Sequence, residues 1–426
     1  PSSPLPSSII RVADADKGVP MTVAAALLPW SGLCSLSLAL FKIFLLFRWY
    51  YVDSSAPLSD VDHLPGHQLV SLSVSLAFFQ NACSDGRTLI IGLSFAGNSK
   101  ITRKNSMTSR QTNIRAVILD AATLGSDIDF SPLQNITDSL YIHDNTSSDT
   151  NSDDVVSRLQ HANVAITNKV VLDARALAAL PNLRLICVMA TGTNNIDLEA
   201  AKRLDIEVRN ITAYGTASVA QHTFMLMLAL ANRLPLYQDE LRRGRWQSSE
   251  HFCLLNHTTM QLAGRHLVLV GQGELGSRVS MLARAMDMTV SFTARPGNES
   301  SDHRPPLDAL LADADIISLH CPLTDETRHL INARRLQNVK PGCLLINCAR
   351  GGLIDELAAL TALRDGRLGG LAVDVLPQEP PRDGHPLLQA LEEHLNLIVT
   401  PHNAWISPEA RQTIIDKTAA NIQLGW

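Results

Sequence analysis

His266-Leu-Val-Leu-Val-Gly271-Gln-Gly273-Glu274-Leu275-Gly276 is the stretch on which the fold turns. His266 to Val270 reads as a buried strand, and Ser277 to Met286 continues with a helical pattern. Met288 to Thr293 is the next strand. A lone G-x-G-x-x-G says little. Set between strand and helix, with a second strand following, it reads as the opening of a dinucleotide-binding unit. The first glycine permits the tight turn, the second lets a pyrophosphate approach the backbone, and the third lets the helix pack close to the strand. The helix N-terminus then faces the phosphates. Eighteen residues past Gly276 stands Ala294, followed by Arg295. A carboxylate at this point would take the ribose hydroxyls of NAD, whereas a guanidinium can pair with a 2′-phosphate. NADP(H) is therefore the expected preference, with NAD(H) as the alternative.

Downstream, three more apolar runs each end in one chemically capable residue. Cys343 to Asn347 leads to Arg350, Leu371 to Val375 leads to Glu379, and Leu397 to Thr400 leads to His402. In a parallel sheet the C-terminal strand edge is where ligands bind. Reduction of a 2-keto acid needs a hydride, a proton, and a cation for the carboxylate and carbonyl. His402 is the natural proton donor near neutral pH. Glu379 would orient it and keep it protonated. Arg350 would grip the substrate carboxylate or carbonyl. Singly, each of these residues more often belongs to an ordinary loop. Their order behind a dinucleotide motif is what makes them a candidate catalytic set.

Upstream, Ile114 to Leu119, Val164 to Thr167 and Leu183 to Met189 read as strands, alternating with helices near 152–161 and 173–180. That alternation predicts a second parallel α/β unit. Asn135 to Asp154 reads as loop with a small strand at Leu140 to Ile142. Val219 to Leu234 reads as one long helix, apolar nearly all round, buried or at a subunit interface. Ser407 to Leu424 is a last helix.

Residues 1–106 read differently. Val23 to Phe41 has no charge over 19 residues, and Ile43 to Val52 is again mostly apolar. Residues 53–106 lack clear periodicity. This unassigned leader, with a candidate apolar helix at 21–52, is open to three readings. It is upstream sequence ahead of a start at Met107, a membrane anchor, or a poorly packed extension. Membrane association is expected only on the second. For the whole chain, a net charge of −5 without a basic run argues against nucleic acid. Seven scattered cysteines without a CxxC pair suit reduced thiols in a cytoplasmic enzyme, and no metal is expected.

The stretches ATGTNNID (190–197), YGTASVAQHT (214–223), GQGELG (271–276), HCPLTDETRHLI (320–331), INCARGGLIDE (346–356), VDVLPQEP (373–380) and TPHNAW (400–405) resemble the D-isomer-specific 2-hydroxyacid dehydrogenase family. FCLLN (252–256), with the first two, is most similar to its glycerate dehydrogenase, or hydroxypyruvate reductase, branch. The resemblance covers about Asn113 to the end. It implies two Rossmann-like domains: a flavodoxin-like substrate domain of residues 107–209 plus 401–426, and an NAD(P)-binding domain of 210–400 inserted into it. It implies a homodimer built partly on the 219–234 helix. It gives Arg350, Glu379 and His402 the roles already argued. The substrate carboxylate would meet the backbone around Thr191 and Gly192, with Trp405 nearby. Besides the glycine loop with Glu274 and Leu275, the cofactor would meet Cys321, Pro322, Cys348, Ala349 and Asp374, the last holding the nicotinamide carboxamide. Ala294-Arg295 departs from the family's usual acidic position. The implied reaction is reversible reduction of hydroxypyruvate or glyoxylate. Alternatives are another 2-keto acid, of phosphoglycerate or lactate type, and a dinucleotide-sensing binding protein like the C-terminal-binding-protein corepressors.

Overall fold

The computed structural model describes residues 113–147 and 153–426, together with the backbone of two strands at 74–81 and 88–95. Those strands, β1 (Val74–Asn81) and β2 (Thr88–Phe95), pair antiparallel in a register running from Val74–Phe95 to Asn81–Thr88. The sequence reading assigned no element there. Both strands contain consecutive apolar residues rather than an alternation, so period-two reasoning had nothing to find. The apolar run at 21–52 lies outside the described residues. Among the described residues no helix is long and apolar enough to cross a membrane.

From Gln111 onward the chain forms its own compact unit with two parallel sheets. The first contains β3 (Arg115–Ile118), β4 (Ser139–Ile142), β5 (Val164–Thr167), β6 (Leu185–Val188) and β7 (Glu207–Asn210), in the order β4-β3-β5-β6-β7. This is the flavodoxin-like order. Every residue of β5 and β6 is buried, which is why they read as unbroken apolar runs. One core of this sheet includes Ile414, Ile415 and Ile422 of the C-terminal helix Pro408–Gln423. Ser407 caps that helix, its hydroxyl accepting from Ala410 N–H.

The second sheet contains β8 (His266–Val270), β9 (Thr289–Phe292), β10 (Ile316–Leu319), β11 (Cys343–Asn347), β12 (Leu368–Val373) and β13 (Leu397–Val399), in the order β13-β12-β11-β10-β8-β9. The winding reverses at β8, between β9 and β10. A crevice at the carboxyl ends of strands forms at such a point. Gly271 follows β8 and Cys321 follows β10, so both lie at it.

Two expectations shift. The long helix ends at Ala231, and a separate helix runs from Leu234 to Arg242. Arg233 takes a left-handed φ of 55°, which breaks the helical path, and Pro235 sits in the first turn of the helix that follows. β12 begins at Leu368, three residues before the expected Leu371. Gly369 and Gly370 obscured it. A β-carbon on Gly369 would stand 2.3 Å from Gly342 O, so the glycine permits close backbone approach.

Candidate active site

His402 sits in the loop after β13, with a left-handed φ of 53°. The loop is held by Asp374, which follows β12 and is 2% exposed. Its carboxylate accepts from Thr400 Oγ1 at 2.6 Å, Asn403 N–H at 3.0 Å and Ala404 N–H at 3.1 Å. His402 N–H donates to Asp374 O at 2.8 Å, and Ser218 Oγ donates to Ala404 O at 2.6 Å. A buried carboxylate with several charge-assisted donors is a rigid anchor. Asp374 thus has a structural duty toward the histidine loop that its place in the sequence did not announce.

His402 Nδ1 lies 2.6 Å from Glu379 Oε2, and Glu379 Oε1 accepts from Leu376 N–H at 2.7 Å. Burial pushes the Glu379 carboxyl up. The hydrogen bonds from His402 and Leu376, with the charges of His402 and Lys169, outweigh it and hold the group below its ordinary value. An ionised Glu379 therefore fixes the His402 tautomer: Nδ1 carries its proton toward the carboxylate and Nε2 is left to act on a substrate.

Arg350 follows β11. Asn347 braces its loop, donating from Nδ2 to Arg350 O at 2.8 Å and accepting from Ala349 N–H at 3.0 Å. Arg350 Nη1 donates to Ala349 O at 2.7 Å. Nη2 lies 3.7 Å from where a β-carbon on Gly192 would stand, so the guanidinium reaches the Thr191–Gly192 loop of the other sheet. Tyr214 lines the same place. Burial raises its hydroxyl, opposed by the Arg350 charge and a hydrogen bond with Thr191. Trp405 packs edge-on against Tyr214, with ring centroids 6.1 Å apart at 89°.

Sequence reading missed Lys169, in the loop after β5. Asp120, at the end of β3, shapes that loop by accepting from the N–H groups of Asn168, Lys169 and Val170. The residue keeps solvent contact, but burial around its ammonium and the Arg350 charge push it below its ordinary value, against the pull of Glu379 and Asp120. Among the described residues its Nζ has no hydrogen-bond or ion-pair partner. It places a second cation near Arg350 and Glu379. Only Asp120, 49 residues earlier, reveals why the loop is shaped to do this.

The dinucleotide cradle is built as the glycines require. Gly271 has φ 107°, and a β-carbon there would lie 2.6 Å from His320 O. A β-carbon on Gly276 would lie 2.0 Å from Gly271 O. One on Gly273 would meet nothing within 4 Å, which leaves open the side on which a pyrophosphate approaches. Gly273 caps the Glu274–Ala285 helix, whose first N–H groups point out of its end. Thr216 Oγ1 donates to Glu274 Oε1, and Leu275 lies in the first turn of that helix. Cys321 and Cys348 are buried, and burial pushes their thiols up to about 11 and about 12, so neither is a ready nucleophile. Pro322 and Ala349 stand beside them at the same strand ends. Ala294 is buried at the end of β9 and Arg295 is exposed. Arg304, also missed, donates from Nη1 to Gln272 Oε1 at 3.0 Å and is held by Asp302.

Residues 224–404 match the family model described as D-isomer specific 2-hydroxyacid dehydrogenase, NAD binding domain. The chain is 42% identical over 272 residues to glycerate dehydrogenase of Methylorubrum extorquens, covering 64% of this chain and 85% of that one. It is 32% identical over 315 residues to hydroxypyruvate reductase of Blautia hydrogenotrophica, covering 73% and 96%. Among solved structures, a D-lactate dehydrogenase from Aquifex aeolicus complexed with NAD and lactic acid is similar at a TM-score of 0.58 and 28% identity, covering 72% and 94%.

Proposed function

The chain belongs to the D-isomer-specific 2-hydroxyacid dehydrogenase family, and from that premise we propose that it interconverts hydroxypyruvate and D-glycerate, and glyoxylate and glycolate. The observation that carries the reading is the 2.6 Å His402–Glu379 pair, joining the loops after β13 and β12, with Arg350 in the loop after β11. Its cofactor is a nicotinamide dinucleotide, which supplies the hydride. His402 Nε2 gives its proton to the carbonyl oxygen as charge develops there, while Glu379 stabilises the histidine cation before transfer. Arg350 and the Thr191–Gly192 backbone hold the substrate carboxylate, and Arg350 polarises the carbonyl. Tyr214 and Trp405 wall the site on the apolar side. Lys169 adds positive potential for an anionic substrate.

The finer reading of the cofactor is a preference for NADP(H). Among the described residues the Arg295 guanidinium forms no hydrogen bond or ion pair. It follows Ala294, where an acid would have repelled a 2′-phosphate. A panel of hydroxypyruvate, glyoxylate, pyruvate and phosphohydroxypyruvate with both cofactors tests function and preference together. The first two substrates with NADPH should give the highest kcat/KM, and Arg295→Ala should cut the NADPH/NADH ratio by about tenfold, one charge-assisted contact's worth. No turnover with any substrate would refute the enzymatic reading. An NADH preference already present in the unaltered chain would refute the finer one.

The reading extends to a homodimer. Phe252 is 90% exposed, Leu255 85% and Trp246 53%, all on the segment after the Leu234–Arg242 helix. Burying a large apolar side chain contributes about 1.5–3 kcal/mol, so this cluster favours self-association. Light scattering should give twice the chain mass, and Phe252→Asp with Leu255→Asp should give one chain. A monomer without substitution would end the proposal.

A further inference from the structure

Away from the cleft, three side chains from distant parts of the chain converge on one point. Glu240 lies on the Leu234–Arg242 helix, His257 in the loop after it, and His394 in the loop leading to β13. Glu240 Oε1 is 3.3 Å from His257 Nε2 and 3.6 Å from His394 Nε2, and all three donor atoms lie within 4.8 Å of one another. The Glu240 and His257 side chains are 13% and 14% exposed.

The hydrogen bonds around the cluster aim both rings at the Glu240 carboxylate. His394 Nδ1 is 2.7 Å from Asp239 Oδ2, which turns its Nε2 toward Glu240. Asn256 Nδ2 lies 3.2 Å from His257 Nε2, beside the same carboxylate. Arg245, the nearby guanidinium, is on the other oxygen, 3.9 Å from Glu240 Oε2. The spacing is also that of a coordination shell. Two ligands each about 2.1 Å from a tetrahedral centre stand about 3.4 Å apart.

We propose that Glu240, His257 and His394 bind one divalent transition-metal ion of the Zn²⁺ type. Two imidazoles and a carboxylate suit zinc, nickel or copper and not magnesium or calcium, which prefer all-oxygen shells. The rings are held from behind. Asp239 orients His394, as carboxylates do for metal-bound histidines. Tyr237 packs edge-on against His257 at 5.1 Å, and its hydroxyl donates to His257 O at 2.9 Å. Asn256 Nδ2 also lies 3.0 Å from Glu240 Oε1, so rotation of its amide brings Oδ1 in as a fourth donor. Bound metal clamps the Leu234–Arg242 helix to the loop before β13.

Titrating the chelator-treated full chain with Co²⁺ tests this. Visible d–d bands should saturate at one ion per chain and vanish when Zn²⁺ is added, and Zn²⁺ should raise Tm. Cys253→Ser should keep the bands, which separates the site from the nearby thiol. His394→Ala and the near-isosteric Glu240→Gln should each weaken Co²⁺ binding at least tenfold, with Glu240→Gln retaining the native fold by circular dichroism. Absence of bands and of any Tm rise in the unaltered chain overturns the site. So does undiminished binding in Glu240→Gln.

Discussion

His402→Gln should lower kcat for keto-acid reduction by about 10²–10⁴, the usual worth of a positioned general acid, while the Kd for the dinucleotide changes less than about threefold. The substitution keeps much of the side-chain shape but removes the only group of the Glu379 pair that can release a proton. Glu379 is held below its ordinary value of 4.5, so it is an anion at every pH where the enzyme would be assayed. The sign follows. The pairing energy is present above the ordinary carboxylate value and is lost as pH falls through the lowered one. Stability and activity should therefore fall together on the acid side. Stopped-flow hydride transfer and fluorescence titration of the cofactor separate the two readouts. Turnover within about tenfold of the unaltered chain would remove His402 from the mechanism.

Arg350→Met should reduce kcat/KM by about 30- to 4,000-fold, corresponding to about 2–5 kcal/mol for losing one partner of a desolvated charge pair. Arg350→Lys should recover little of it, because a point charge cannot reproduce the planar fork that meets a carboxylate with two parallel hydrogen bonds. The ammonium of Lys169 supplies charge near the site without that geometry, which places the loss within this range rather than beyond it. Steady-state kinetics over a range of hydroxypyruvate concentrations decides the matter. Unchanged kcat/KM in Arg350→Met would show that the carboxylate is held elsewhere.

The strand ends were legible because parallel strands are buried on both faces and so appear as continuous apolar runs, with the residue of interest just beyond each. Arg350, Glu379 and His402 could be found that way. Ala294-Arg295 could be found by counting from a glycine turn. Lys169 and Arg304 could not, since their significance lies in what faces them: Arg350 and Glu379 in one case, Asp302 and Gln272 in the other. The same holds for Asp374, whose partners Thr400, Asn403 and Ala404 lie 26 to 30 residues away. In the fold, the errors came where the backbone departs from its ordinary course, at Gly369-Gly370 and at the left-handed Arg233.

The core shared by β3 to β6 and the Pro408–Gln423 helix has a consequence for biosynthesis. On the ribosome, the strands from Arg115 to Asn210 emerge before the nucleotide-binding sheet, yet Ile414, Ile415 and Ile422 are made after it; Asn421 hydrogen-bonds to Asn210 across a separation of 211 residues. At about 5–20 residues per second, the earlier half waits roughly 10–40 seconds with one face of its sheet uncovered. The nucleotide-binding sheet, continuous in sequence, can close during that interval. Of the two parallel sheets, the one translated earlier is thus the later to be finished, and chaperone capture of the nascent chain should centre on its uncovered face.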